Sequence, residues 1–244
     1  MTTSKHIQGS HVLVTGANRG IGNALVEALL ARGAAKVYAS TRDLNNLQPF
    51  SQHNDRVQAV ELDVTDPNSI AALVAQIPAL DLLINNAGTA TGMTYTDPQS
   101  LAVAQHEMST NYFGPLQLSK ALLGLLKQSN NPGIINVSSI AGIANFKAIG
   151  PYSASKAAVH FLTQGLRAEL QEDDVSVLGV YPGPVDTRMA AGMEMAKATP
   201  AEVAAAILNA YEQGEEDVFP DAFSLAMMDV FKQDRKALEK VFAA

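Results

Sequence analysis

The chain has 244 residues, 47% hydrophobic and 17% charged, which suits one globular domain with a large core and excludes a disordered chain. A formal net charge of −7 disfavours nucleic acid as a partner, and the lack of cysteine excludes disulfides, thiolate catalysis and cysteine-ligated zinc. No apolar run approaches the roughly 20 residues that cross a bilayer, and residues 1–8 lack the apolar stretch of a secretory signal, so a cytoplasmic protein without membrane contact is expected.

A first strand is expected over residues 11–15, where Val12, Leu13 and Val14 form a short apolar run that ends at Gly16. A helix over 21–32 follows, with Ile21, Leu25, Ala28 and Leu29 at helical spacing and Gly33 placed to stop it. Further strands are expected over 36–41, 57–64, 81–85, 133–138 and 175–181. Asp66 and Pro67 read as a cap and first position of a helix that runs through Ile77 and ends at Pro78. Helices over 116–127 and 153–170 separate the later strands. Strands alternating with helices imply right-handed crossovers, hence a single-domain α/β, doubly wound, mainly parallel sheet with helices on both faces. Ligands of such sheets bind beyond the carboxyl ends of the strands.

The loop Thr15-Gly16-Ala17-Asn18-Arg19-Gly20-Ile21-Gly22 sets three glycines between a strand and a helix. Glycines there let backbone approach a pyrophosphate closely, with N–H groups at the helix start, so a dinucleotide is the natural ligand. A tight turn with no ligand is the plain alternative. The spacing, Gly-x-x-x-Gly-x-Gly, differs from the more widespread Gly-x-Gly-x-x-Gly. Together with Asp63-Val64, Asn85-Asn86-Ala87-Gly88, Asn111, Tyr152-x-x-x-Lys156 and Pro182-Gly183 in that order, the loop resembles the short-chain dehydrogenase/reductase family over most of the chain.

The resemblance implies a Rossmann-like fold in which Gly16, Asn18, Arg19, Gly20, Ile21, Gly22, Asp63, Val64, Asn86, Ala87, Gly88, Pro182, Gly183, Val185 and Thr187 line the cofactor. An NAD-preferring site usually offers a carboxylate at the end of the second strand, whereas this strand ends Ala39-Ser40-Thr41-Arg42. Arg42 suits the extra phosphate of NADP(H), and Arg19 is placed as in the NADP-preferring members, so NADP(H) is the expected cofactor.

Tyr152 and Lys156, four apart, share one helix face. Bringing a phenol from a pKa of about 10 to near 7 takes roughly 4 kcal/mol of phenolate stabilisation, and a nearby ammonium supplies much of it. The resemblance makes Tyr152 the acid/base, gives Lys156 the nicotinamide ribose as well, and makes Asn111 the holder of a water that relays protons through Lys156. Ser139, thirteen residues before Tyr152, is the expected partner of the substrate oxygen, with Ser138 pointing the opposite way. The expected activity is hydride transfer between NADP(H) and a small to medium apolar ketone or aldehyde, or the corresponding alcohol. Same-fold dehydratase or epimerase chemistry, and a non-catalytic NADP(H) sensor, are the alternatives.

Residues 188–213 are expected to form a lid or substrate region, with Met189, Met193 and Met195 either lining an adaptable pocket or filling core. Thr199-Pro200-Ala201-Glu202 marks the start of the helix that ends the loop. Residues 89–95 and 140–149 are expected as further walls. A helical tail over 221–244 carries Met227, Val230, Phe231, Leu238, Val241 and Phe242 in stripes that pack on the same subunit or on another. A homodimer and a homotetramer are both open. His6, His11, His53, His106 and His160 lack paired spacing, so no metal site is expected.

Overall fold

Short runs of two to six residues alternate with amphipathic helices along the chain, and the strands they form are β1 (His11–Val14), β2 (Lys36–Thr41), β3 (Val57–Glu61), β4 (Leu82–Asn85), β5 (Gly133–Val137), β6 (Ser176–Val180) and β7 (Asp217–Val218). In this computed structural model, which describes residues 5–47 and 54–243, they make one sheet in the order β3-β2-β1-β4-β5-β6-β7, parallel throughout. His53 and the chain ends, residues 1–4 and 244, lie outside the described residues. The strands are connected by α1 (Gly20–Ala31), α2 (Pro67–Gln76), α3 (Ser100–Met108), α4 (Gly114–Leu126), α5 (Gly150–Glu169) and α6 (Pro200–Glu212), and the chain closes with α7 (Ala222–Gln233) and α8 (Arg235–Ala243).

Alternate residues of each strand feed two cores. Val12, Val14, Ile84 and Val180 pack with Leu25 and Leu29 of α1 and Val203 and Ile207 of α6. Leu13, Leu83, Ile134 and Val177 pack with Leu73 of α2 and Leu118 and Leu122 of α4 on the other face. The strand order reverses between β1 and β4, and the crevice beyond their carboxyl ends is the switch point where such sheets bind ligands. No described helix is long and apolar enough to cross a membrane.

The third strand stops at Glu61, three residues before the expected end, because Asp63 bends the chain: its carboxylate accepts from the Thr65 N–H at 2.9 Å and the Thr65 hydroxyl at 2.7 Å. Ahead of the expected helix 116–127 stand α3 and a π-helical turn, Ser109–Phe113, neither of which the periodicity reveals. The Thr199/Glu202 capping box is formed in both directions. Residues 222–243 pack on their own subunit, where Leu238 and Phe242 are buried with Ile140, whereas Val241 points outward at 48% exposure. Val241 thus falls outside the apolar stripe, which is narrower than the sequence spacing suggests.

Candidate active site

The glycine loop folds against the end of β4. Thr15 Oγ1 accepts from the backbone N–H groups of Asn86 and Ala87, both at 2.9 Å, and Asn86 Nδ2 donates to Thr15 O at 2.8 Å. Gly16 and Gly20 have φ of 65° and 54°, the left-handed region that favours glycine. A β-carbon on Gly22 would lie 2.6 Å from Asn86 Nδ2, and one on Gly20 would lie 3.0 Å from the Thr187 methyl. The loop, Asn86-Ala87 and Thr187 therefore share one cradle that admits only backbone. The cap residue of α1, Arg19, makes no side-chain cap bond, and the first turn of α1 holds no acid, so its N–H groups and dipole face the cradle uncompensated.

At the end of β2, Arg42 is exposed and Asp43 is turned away from the cradle. Asp43 caps its own 3₁₀ turn, accepting from Asn45 N at 3.0 Å and from Asn46 Nδ2 at 2.8 Å. Its carboxylate is thus committed to the turn. Arg19, Arg42 and a third guanidinium, Arg188, converge: beyond desolvation, the positive charges of Arg188 and Arg42 lower the pKa of Arg19. None of the three ion-pairs with a described residue. Three unpaired cations together repel one another, which suits an anion between them. Sequence reasoning missed Arg188 because it follows β6, far along the chain from the other two. Asp63 flanks the same corner, its pKa lowered chiefly by the Thr65 hydroxyl bond. Val64 is buried against Gly114 at the start of α4.

The second group of candidates gathers around α5. Ser139, which favours the Tyr152 phenolate, donates its hydroxyl to Pro182 O at 3.4 Å and accepts from Ala141 N at 3.1 Å. Ser138 turns the other way and donates to Lys156 O at 2.8 Å, fastening β5 to α5. Lys156 Nζ donates to Val137 O at 2.8 Å and stands 5.7 Å from the centre of the Tyr152 ring. Asn111 lies in the π-helical turn and spends both N–H donors, on Thr89 O at 2.9 Å and Ser155 Oγ at 2.8 Å. Its side-chain oxygen accepts from Thr89 N at 2.8 Å. Any relay water at Asn111 must therefore use its remaining acceptor capacity or its backbone. Gly88 joins the two: a β-carbon there would come within 3.3 Å of Asn111 Oδ1 and 3.5 Å of Lys156 Nζ.

The protein's own groups act on Tyr152 in the direction opposite to the shift expected from Lys156. Burial disfavours the phenolate and pushes the phenol up to about 12, opposed by Ser139 and reinforced by the charge of Glu107. Burial likewise brings Lys156 down to about 8. Burial of the phenol is the largest of these effects, so the protein alone holds Tyr152 as a proton donor. Glu107, on α3, is a second residue that sequence reasoning missed.

The segments 184–186 and 198 close the base of the loop that contains Arg188. Val185 bridges Ala198, and Asp186 N donates to Ala198 O at 2.8 Å. Gly183 N donates to Asp221 Oδ2 at 2.8 Å, tying Pro182-Gly183 to α7. Met189, Met193 and Met195 are 50%, 37% and 39% exposed, so they do not fill core. A cavity of about 770 Å³ opens between the walls and the tail, bordered by Tyr95, Ile143, Ala144, Lys147, Phe231 and Arg235. Neither Ser139 nor Tyr152 lines it, so the geometry of the side chains locates the chemistry.

Comparison with known proteins points to one family. Residues 10–198 match the family profile described as short chain dehydrogenase. An uncharacterized oxidoreductase of Staphylococcus aureus strain MRSA252 is 35% identical over 210 residues, covering 82% of this chain and 90% of that protein. A short chain dehydrogenase from Burkholderia cenocepacia J2315 in complex with NADP superimposes with a TM-score of 0.91 at 38% identity, over 98% of this chain and 99% of that one. The NADPH-bound carbonyl reductase from chicken fatty liver superimposes with a TM-score of 0.80 at 32% identity, over 86% and 93%.

Proposed function

The chain belongs to the short-chain dehydrogenase/reductase family, an oxidoreductase family, and on that premise we propose that it uses NADPH to reduce the carbonyl of a small to medium apolar ketone or aldehyde. The observation that carries the reading is a buried Tyr152 with Lys156 Nζ 5.7 Å from its ring centre, held in its protonated form by burial.

When bound, the reduced nicotinamide supplies the hydride. The residues present fit such a group: Gly16, Gly20 and Gly22 leave room only for a backbone-lined ligand, the uncapped start of α1 faces a pyrophosphate, and Arg19, Arg42 and Arg188 suit the additional phosphate of NADP(H). Ser139 Oγ donates a hydrogen bond to the substrate oxygen and orients it. Tyr152 Oη gives its proton to that oxygen as negative charge develops, the form of acid catalysis typically worth about 10²–10⁴ in rate. Lys156 holds the ribose hydroxyls and supplies positive charge near the phenol as its proton departs. Asn111 keeps the segment after β4 in place through Thr89. The exposed methionines of the loop containing Arg188 and the apolar walls Tyr95, Ile143 and Ala144 support a hydrophobic substrate, with that loop acting as a lid.

A panel of aromatic ketones, aliphatic aldehydes, diketones and steroid ketones, followed by NADPH consumption, tests the reading. Tyr152→Phe should lower kcat by about 10³-fold while NADPH still binds. Turnover near that of the parent in this variant overturns the assignment of the acid.

A further inference from the structure

Glu107 is a charged residue buried to 1% exposure, one helical turn before Asn111. Its Oε1 accepts from both the backbone N–H and the hydroxyl of Thr91, each at 2.8 Å. Asn111 binds Thr89 in the same manner, through its side-chain oxygen and amide. Residues four apart on one helix face thus grip residues two apart in an extended wall, which is the match of spacing that a two-rung clamp needs. Glu107 Oε2 is buried and has no hydrogen-bond partner among the described residues. An uncompensated carboxylate oxygen in a desolvated position is costly, and such costs persist where the group has work beyond packing.

We infer that Glu107 is a positioning residue of the active site, the second rung of a clamp that fixes the wall 89–91 and keeps a negative charge beside Tyr152. The inference rests on Tyr152 being the site's acid. Asn111 Nδ2 donates to Ser155 Oγ, which donates to Tyr152 O, so the helical stretch that carries Glu107, one turn before Asn111, packs on the turn of α5 that carries Tyr152; Ser139 from the end of β5 and Lys156 on that helix are the other polar groups beside the phenol. Tyr95 sets its ring edge at Gly150, two residues before Tyr152. Of these, Ser139 favours the phenolate and the charge of Glu107 opposes it. A carboxylate in this place biases the pair toward a tyrosine that carries its proton, the form that a carbonyl reduction consumes. Amide in place of carboxylate keeps the acceptor for Thr91 and removes the charge, so the two halves of the role separate cleanly by mutation.

The chain has six tyrosines and no tryptophan, so phenolate formation is readable directly in the near-ultraviolet absorbance. The full-length protein is titrated with NADP⁺ bound, and subtraction of the Tyr152→Phe titration isolates Tyr152. In Glu107→Gln the Tyr152 step should move to lower pH by about half a unit or more. Thr91→Val, which retains the carboxylate and loosens the wall, should leave the step at or above the parent's pH. Should Glu107→Gln not fold, Glu107→Met, uncharged and of like length, carries the same expectation. Coincident titrations of parent and Glu107→Gln, or an equal downward shift in Thr91→Val, overturn the inference. If Tyr152→Phe removes no step, the reading of Tyr152 as the acid falls first. If it removes the step and Glu107→Gln leaves that step unmoved, only the role of Glu107 falls.

Discussion

Gly22→Ala is the most direct probe of the dinucleotide cradle. The added β-carbon overlaps the Gly16 carbonyl oxygen and lies 2.6 Å from Asn86 Nδ2. Neither neighbour yields as a free side-chain end would, since Gly16 O is backbone and Asn86 Nδ2 is held by Thr15 O at 2.8 Å and Gly16 O at 3.3 Å. Alanine within a helix gains about 0.5–1 kcal/mol over glycine. Overpacking a closed site costs about 1–3 kcal/mol, so a net loss of about 1–2 kcal/mol is expected. For a chain of this length that lowers Tm by about 2–8 °C. Binding should suffer more than stability, because the loop relieves the overlap by shifting the same N–H groups that meet the pyrophosphate. A tenfold weaker Kd for NADPH, about 1.4 kcal/mol, is the least loss expected. NADPH fluorescence titration and thermal unfolding read the two effects side by side. Gly124→Ala is the control: position 124 on α4 is exposed with nothing within 4 Å of a β-carbon, so it should gain about 0.5–1 kcal/mol without touching affinity. NADPH affinity in Gly22→Ala within about twofold of the parent refutes the placement of the pyrophosphate in this cradle.

Replacing Arg19, Arg42 or Arg188 singly by alanine should each lower kcat/KM for NADPH by about tenfold or more, the loss of a charge-assisted contact, while NADH use changes little. Equal losses with both cofactors argue against a phosphate between the three. Lys156→Met should abolish turnover and yet leave the protein at least as stable at pH 7, because burial brings Lys156 from 10.5 down to about 8 and so penalises the charged form. The sign follows from linkage: the unfolded lysine stays protonated where the folded one does not, so parental stability rises between about pH 8 and 10.5, by roughly 3 kcal/mol at most. The Tm advantage of the variant should shrink from pH 7 to pH 10, and a constant or growing gap counts against a strained ammonium. Asp221→Ala removes the cap of α7 and the partner of Gly183 N, and should cost about 2–4 kcal/mol in denaturant unfolding. A cost below about 1 kcal/mol shows that the tail does not depend on this anchor.

The parallel sheet was legible because its strands are buried on both faces and their apolar runs stand out between polar turns. The cradle was legible because a close backbone approach demands glycine, and Gly16, Gly20 and Gly22 leave a spacing that survives in the sequence alone. What stayed hidden depends on partners brought from afar. Arg188 lies far along the chain from Arg42, so their convergence belongs to the fold and to no local pattern. The upward push on the Tyr152 phenol was hidden for a related reason: the spacing to Lys156 announces an ammonium, but only packing reveals that the phenol itself is desolvated. Helix α3 is the most instructive omission. Leu101 is 72% exposed there, and the one residue buried on the helix is Glu107. A helix that turns a carboxylate inward and a leucine outward has no apolar stripe for periodicity to detect. The same inversion that conceals the element from the sequence marks it, in the structure, as one shaped by the requirements of the neighbouring site as well as by the core.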